Sequence, residues 1–189
     1  RYAFGMAPLD PLSPDHLFDL ASLTKVFATT FGVMMLVDRG EIELDVPVAA
    51  YLPEFSGAAK DSVTIRHLLT HSAGLTPWKP IYYHASTPQQ AYATIAALPL
   101  DYGVGTERRY SDLGFMLLGY LIEEVSGQTL DGFLTEHLYE PLGLETTTFN
   151  PTRNGFEPAR IAATSHGNPF ERRMVYDDDF GYECDEDPE

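Results

Sequence analysis

A serine and a lysine three residues apart open the most apolar stretch of this chain. Lys25 is the only charged residue between Ser22 and Val37. Residues three apart lie on one helix face, with Cβ atoms about 5–6 Å apart, so the hydroxyl of Ser22 and the amine of Lys25 can meet. Burial would favour the neutral amine. A neutral amine beside a serine hydroxyl is a nucleophile with its base, and backbone N–H groups at a helix N-terminus can stabilise an oxyanion.

A structural interpretation of the same pair is also open. Ser22 could cap a helix while Lys25 extends to solvent. The composition favours the chemical interpretation, because the chain has three lysines, Lys25, Lys60 and Lys79, against nine arginines. A lysine in the most apolar helix of such a chain indicates a specific role.

The residues after this pair predict a helix that ends at Gly40. Every residue from Val26 to Val37 is apolar, glycine or threonine, so we expect this helix to be buried on all sides. The run is short for a membrane span and contains Thr29 and Thr30, so we predict no membrane span here.

Capping residues and stop glycines predict four more helices. They run from Thr64 to about Gly74, from Thr87 to about Leu98, from Leu113 to Val125, and from Thr129 through Leu138. A loop with two glycines brings Tyr110 to the start of the third of these helices, which we expect to be largely buried. Arg1 to Gly5 is typical of the end of a strand.

His67 and His71 are four residues apart and could face the same way, as two zinc ligands do. No glutamate follows the first histidine, and the sequence offers no clear third ligand. We therefore favour structural histidines, and predict neither a metal nor a cofactor.

The composition favours one domain with a sizeable core, since 44% of the 189 residues are hydrophobic. The net charge of −16 would repel phosphate backbones and anionic membranes, which argues against nucleic acid as a partner. Much of the acidic charge follows Tyr176, and we expect residues 166–189 to form a poorly ordered tail or linker. Cys184 is the only cysteine, so no internal disulfide is possible, and cytoplasmic and periplasmic locations both stay open.

Three segments together resemble the serine β-lactamase and penicillin-binding-protein-like superfamily, and most closely its class C β-lactamase and esterase branch. They are Leu20–Lys25 (LASLTK), Ile65–Leu75 (IRHLLTHSAGL) and Tyr110–Gly114 (YSDLG). The resemblance runs from about Phe18 to Phe149. It implies an α+β, β-lactamase/transpeptidase-like fold, of which residues 1–165 form a partial domain: mainly the helical part, with an incomplete antiparallel sheet.

The resemblance also implies catalytic roles for three residues. Ser22 would be acylated by an ester or amide substrate and then freed by water or another acceptor. Lys25 would take or relay the serine proton, and Tyr110 would share this proton and protonate the leaving group. A tyrosine hydroxyl is a weak base unless a nearby cation favours the phenolate, so the role of Tyr110 requires the positive charge of the lysine.

Asp112 stands where the family more commonly has asparagine. A carboxylate only accepts hydrogen bonds, whereas an amide also donates them, so we favour a carboxylic ester or a D-amino-acid amide over a β-lactam as the substrate. Trp78 lies in a loop, where an aromatic side chain either lines a pocket or covers the core. We expect Asp112 and Trp78 to contact the substrate.

The sequence thus predicts a serine hydrolase that forms an acyl-enzyme with a small ester, peptide or β-lactam. The alternative is a non-catalytic penicillin- or peptide-binding or sensor module of the same fold. A helical zinc-binding protein that uses His67 and His71 is a weaker third hypothesis.

The family's Lys/His-x-Gly strand motif is not recognisable after Tyr110, and Ser165-His166-Gly167 does not lie in a strand-like sequence. We expect a C-terminal remainder of the same protein to supply this strand and one oxyanion donor. Loss of one such donor lowers the rate of a serine hydrolase by about 10²–10³, so this chain alone should be a poor catalyst. Hydrolysis of a p-nitrophenyl ester by the 189 residues and by the whole reading frame should differ accordingly, and equal rates would contradict the expectation.

Overall fold

The computed structural model describes residues 12–83 and 85–163. Within these ranges the chain is helical, and no strand forms. The α-helices are α1 (Phe31–Asp38), α2 (Ile65–Leu69), α3 (Pro88–Ala97), α4 (Asp112–Ser126) and α5 (Leu130–Leu134). The predicted helical part is confirmed, whereas the incomplete antiparallel sheet is not seen in the described residues. The expected strand at Arg1–Gly5 and the expected tail of residues 166–189 lie outside them.

The chain divides into two compact units. All five α-helices belong to the unit Ser22–Leu144. In the other unit, the structure describes residues 12–21 and 145–163, which meet in a parallel bridge between Leu17 and Ile161. Leu17 forms backbone hydrogen bonds with the two residues that flank Ile161. Its N–H donates to Arg160 O, and its carbonyl accepts the Ala162 N–H, both at 2.8 Å.

The predicted helix starts are confirmed by their hydrogen bonds. Thr64 Oγ1 accepts the His67 N–H at 3.3 Å, and the His67 ring accepts the Thr64 N–H at 3.1 Å, which is a reciprocal capping box. Thr87 caps α3 through the Gln90 N–H at 3.2 Å. Ser111 caps α4 in the same way, and Gly127 follows this helix with φ 68°.

The second helix ends earlier than predicted. α2 stops at Leu69, five residues before Gly74, and Thr70 is its C-terminal cap. His71 then takes φ 57°, a left-handed conformation that ends a helix. The sequence pointed to Gly74 because glycine adopts this conformation most readily, but the histidine adopts it first.

The core of the larger unit forms around α4. The buried side chains of α4 are Leu113, Phe115, Leu117, Leu118, Leu121 and Ile122.

The helix that carries Ser22 reaches α4 closely at Gly32. A Cβ atom at Gly32 would lie 2.7 Å from Ile122 Cδ1, so only glycine fits without a shift of this side chain. The helix of the candidate nucleophile and α4 are therefore in close contact at this point.

This Ser22-bearing helix is not regular. A 3₁₀ turn over Ala21–Leu23 leads into a π-helical segment, Lys25–Thr30, which continues into α1. Single π turns inside helices occur frequently at functional sites.

The expectation that this helix is buried on all sides is wrong. Its buried residues, Ala28, Thr29, Gly32, Val33 and Leu36, form one stripe. The apolar side chains of the opposite face, Leu23, Val26, Phe27, Phe31 and Met34, are 36–56% exposed. α4 covers only one side of the helix, so an apolar sequence did not by itself imply complete burial.

The segment Ala21–Asp38 is also long and apolar enough to cross a membrane, and no other described helix passes this test of length and composition. Core helices pass the same test, so the signal is weak. The absence of a membrane span therefore stays a prediction.

Candidate active site

The hydroxyl of Ser22 contacts two groups that could handle its proton. Tyr110 OH donates a hydrogen bond to Ser22 Oγ at 2.8 Å, and Lys25 Nζ donates another at 3.2 Å. Ser22 and Tyr110 are both exposed, so a substrate carbonyl can reach the serine oxygen. The structure thus brings together the three residues that the sequence singled out.

Ser22 follows a residue with an unusual backbone. Ala21 has φ 45°, and its N–H bonds to Asp19 Oδ1 at 2.8 Å. A left-handed conformation at alanine costs of order 1 kcal/mol and persists where the surroundings over-determine it. The chain turns abruptly here, which presents Ser22 at the start of its helix.

Tyr110 and Asp112 reach the site from the other side, at the start of α4. The Asp112 N–H bonds to Pro77 O, and Ser111 Oγ to Thr76 O, both at 2.8 Å. These bonds tie the first turn of α4 to the segment after α2. The carboxylate of Asp112 also lies in the first turn of α4, at the positive end of the helix dipole.

Asp112 forms an ion pair with Lys25. Asp112 Oδ1 lies 2.6 Å from Lys25 Nζ and accepts no well-aligned hydrogen bond from the described residues, so charge holds the contact. Lys25 Nζ also lies 5.0 Å from the centre of the Tyr110 ring. The lysine side chain is 16% exposed and the carboxylate 36%, so solvent screens the pair only in part.

The charge state of Lys25 differs from the expected neutral amine. Burial lowers the pKa of Lys25, but its contacts with Asp112 and Tyr110 outweigh burial and raise the pKa above its usual value. Lys25 is therefore an ammonium at neutral pH in this structure. The sequence-based argument considered burial alone and missed the carboxylate.

Trp78 and Asp112 line one cavity of about 430 Å³. Its walls are otherwise mostly apolar and come from the loop after Trp78, from α3 and from α4; they include Ile81, Tyr82, Ala91 and Met116. Asp112 is also the partner of Lys25, so this residue is shared by the cavity and the candidate site.

The two histidines considered for zinc each serve the backbone. His67 Nδ1 accepts the Thr64 N–H, and His71 Nδ1 accepts the Ser111 N–H at 3.1 Å. No group of three potential metal ligands occurs in the part of the chain that the structure describes. These bonds favour the structural interpretation of both side chains.

Comparison with known proteins shows which family the chain belongs to. The model of the beta-lactamase family matches residues 2–184. The chain belongs to the beta-lactamase family. The match does not separate the class C and esterase branch from others, so that finer assignment stays a prediction.

Among the relatives of this chain are proteins named as an amidase and as a putative carboxypeptidase. The chain is 38% identical over 161 residues to N-acetylmuramyl-L-alanine amidase of Bacillus subtilis, covering 78% of this chain. It is 39% identical over 167 residues, 80% of this chain, to a protein of Escherichia coli named as a putative D-alanyl-D-alanine carboxypeptidase. It spans 36% and 38% of the length of these two relatives.

A solved structure shares the fold. The crystal structure of a penicillin-binding protein homologue from Caulobacter crescentus superposes with a TM-score of 0.61 at 32% identity. The superposition covers 71% of this chain and 37% of that protein. The β-lactamase/transpeptidase-like fold is therefore confirmed.

Sequence reasoning missed two contacts of the site. Asp112 was expected to contact the substrate, and its ion pair with Lys25 was not predicted. A carboxylate where the family commonly has asparagine, in a chain with one lysine in its most apolar helix, could have indicated this pair. Sequence reasoning also did not connect His71 with Tyr110, whose rings lie 4.6 Å apart. No local pattern links residues 39 positions apart.

The ion pair makes a prediction about the charge of Lys25. Asp112→Asn removes the carboxylate and leaves burial, so the pKa of Lys25 should fall. Lysine labelled with ¹³C at Cε gives one signal for each of the three lysines, and their titration can be followed by NMR. Lys60, whose pKa burial lowers and whose amine bonds to Ala96 O, is the internal control and should not change. An unchanged Lys25 titration would contradict the role given to Asp112.

Proposed function

We propose that this chain carries the nucleophile of a serine hydrolase that works through an acyl-enzyme. The observation that carries the proposal is the position of Ser22 Oγ, within 2.8 Å of Tyr110 OH and 3.2 Å of Lys25 Nζ. A nucleophile in contact with a proton-transfer group and a cation is the arrangement that such chemistry requires. The names of the relatives, an amidase and a putative carboxypeptidase, support hydrolysis of an acyl bond.

In the proposed acylation, Tyr110 rather than Lys25 accepts the serine proton. This step requires the deprotonated form of Tyr110, which takes the proton from Ser22 as Oγ attacks the substrate carbonyl carbon, with the ammonium of Lys25 5.0 Å from the ring centre. The tetrahedral intermediate then collapses, the bond to the leaving group breaks, and Tyr110 returns the proton to that group. Lys25 keeps its charge throughout and stabilises each anionic oxygen in turn.

Deacylation repeats these steps with water. Tyr110 takes a proton from water, the hydroxide attacks the acyl carbon, and the proton returns to Ser22 Oγ as the ester bond breaks. The Ser22 N–H, at the first turn of its helix, is our candidate for an oxyanion donor.

We propose that the substrate is a carboxylic ester or a D-amino-acid amide with an apolar group beside the scissile bond. The mostly apolar cavity next to Asp112 would take this group. The charge of Asp112 is offset by Lys25, so the site does not demand a charged partner there. The Asp112 carboxylate has no hydrogen to donate to a lactam amide, and its acceptor oxygen already faces an ammonium, which places β-lactams behind esters.

An activated-serine probe tests the proposal. Ser22→Ala should abolish covalent labelling by a fluorophosphonate or a penicillin, because only the nucleophile is removed. Ser62→Ala is a matched control, since Ser62 is exposed and its side chain bonds locally, to Ala59 O.

Tyr110→Phe removes the hydroxyl that would move the serine proton. Steady-state kinetics should show a turnover number about 10²–10⁴-fold lower, with little change in the Michaelis constant.

Two results would count against this function. Labelling of the Ser22→Ala variant at the parental rate would show that another residue is the nucleophile. Reversible binding of a penicillin or peptide without acylation of Ser22 would favour the alternative, a non-catalytic binding or sensor module.

The cavity makes a separate prediction about selectivity. Ala91→Phe should fill it from α3 and lower kcat/KM for p-nitrophenyl phenylacetate relative to p-nitrophenyl acetate by about 10-fold, the range for a lost apolar contact. Ala93→Phe is the matched control, because Ala93 is exposed on the same helix and does not line the cavity. Equal effects of the two variants on the ratio would remove the cavity from the substrate site.

A further inference from the structure

His71 contacts the segment around Tyr110 from several directions. Its ring Nδ1 accepts the Ser111 N–H at 3.1 Å, and its backbone carbonyl accepts the Arg109 N–H at 2.9 Å. Its ring also stacks on that of Tyr110, with centroids 4.6 Å apart and planes tilted by 37°. The residues directly before and after Tyr110 and the phenol ring itself are thus all held by one residue.

His71 is itself fixed in place. Its carbonyl also accepts a hydrogen bond from the Tyr102 hydroxyl at 3.3 Å. Its ring lies beside that of Phe115, with the two centroids 5.1 Å apart. Its φ of 57° turns the chain immediately after α2 and brings ring and carbonyl to the same segment. Asparagine and histidine are among the residues enriched in this conformation.

The bond to Ser111 defines the state of the ring. A nitrogen that accepts an N–H carries no proton, so the imidazole is neutral with its proton on Nε2. Burial and the positive charges of Arg108 and Lys25 lower the pKa of His71, against the opposing charge of Asp112. The neutral form therefore prevails at neutral pH.

We propose that His71 is a positioning residue for Tyr110: its neutral ring, bonded to the Ser111 N–H and stacked on the phenol, holds the tyrosine hydroxyl against Ser22. The inference rests on the proposed function, in which Tyr110 moves the serine proton. Proton transfer depends on hydrogen-bond distance, so a displaced phenol loses rate rather than substrate affinity.

The proposal links activity to the protonation of His71. Protonated Nδ1 becomes a donor that faces the Ser111 N–H, and this bond is then lost. The ring also gains a positive charge near Lys25 and Arg108. As pH falls through the lowered pKa of His71, the Tyr110 segment should loosen and the reaction of Ser22 should slow.

Two variants of the whole protein separate positioning from general stability. His71→Asn offers an amide oxygen near the place of Nδ1, tolerates the left-handed backbone and does not titrate. His71→Leu offers no acceptor. His67→Asn is the matched control, because His67 also accepts a backbone N–H through Nδ1 but serves Thr64 instead of the Tyr110 segment.

The readout is the rate of Ser22 labelling by a fluorophosphonate between pH 4.5 and 8, an assay range that spans the ordinary histidine pKa of about 6.5. We expect His71→Leu to lower the rate about 100-fold at all pH values without weakening reversible substrate binding. His71→Asn should restore most of the rate at neutral pH and lose the decline at acid pH, whereas His67→Asn should keep the parental profile. A parental profile in His71→Asn, or a parental rate in His71→Leu, would overturn the proposal.

A spectroscopic measurement on the parent protein tests the proposal without enzyme activity and without relying on the folding of any variant. In the parent, ¹⁵N NMR should show His71 Nδ1 as an unprotonated acceptor, and the Ser111 amide signal should move as His71 titrates. An Nδ1 that carries the proton at neutral pH, or a Ser111 signal that ignores the titration, would overturn the positioning role. If Ser22 is not labelled in the parent, the proposed hydrolase function fails, and this measurement still decides whether His71 holds the segment.

Discussion

The contact between Lys25 and Asp112 determines how the rest of this site can work. At 2.6 Å in a partly buried setting, the pair raises the pKa of the lysine against the burial that would otherwise lower it. A charged lysine cannot begin the reaction as a base, which is why we propose Tyr110, in contact with Ser22 Oγ at 2.8 Å, as the acceptor of the serine proton. The pair also has no net charge, which makes an apolar substrate group compatible with the cavity beside it.

This contact depends on helix packing over a long sequence distance. Lys25 is placed by the irregular helix that begins at Ser22, and Asp112 by the first turn of α4. The two elements meet because Gly32 lets α1 approach Ile122. A larger side chain at Gly32 would require the Ile122 side chain, at the contact between these two elements, to shift. The core of this unit is thus a condition for the chemistry as well as for stability.

The helix starts could be predicted from the sequence because their signals are local, and so could the candidate residues Ser22, Lys25 and Tyr110, which the structure brings together. Thr64, Thr87 and Ser111 cap their helices through side-chain bonds to backbone groups three residues ahead. What could not be predicted depends on neighbours distant in sequence. The charge of Lys25 depends on a residue 87 positions away, and the exposed face of its helix depends on which elements cover it, which an apolar pattern does not specify.

The site has two requirements, a charge beside Ser22 and a fixed position for Tyr110, and different residues meet them. Asp112 determines the charge beside Ser22 through Lys25, while His71 contacts the segment that carries Tyr110 without touching the serine. Asp112 is the first residue of α4, and His71 bonds to the residue before it, so both belong to the start of one helix. A substitution at Asp112 can then alter the charge of the lysine while the phenol stays in place. The Arg109 N–H bonds to the backbone carbonyl of His71, whereas the Ser111 N–H bonds to its ring, so the hold on this segment depends on the histidine side chain. The segment that carries the phenol and the charge of the lysine thus depend on two different side chains, His71 and Asp112.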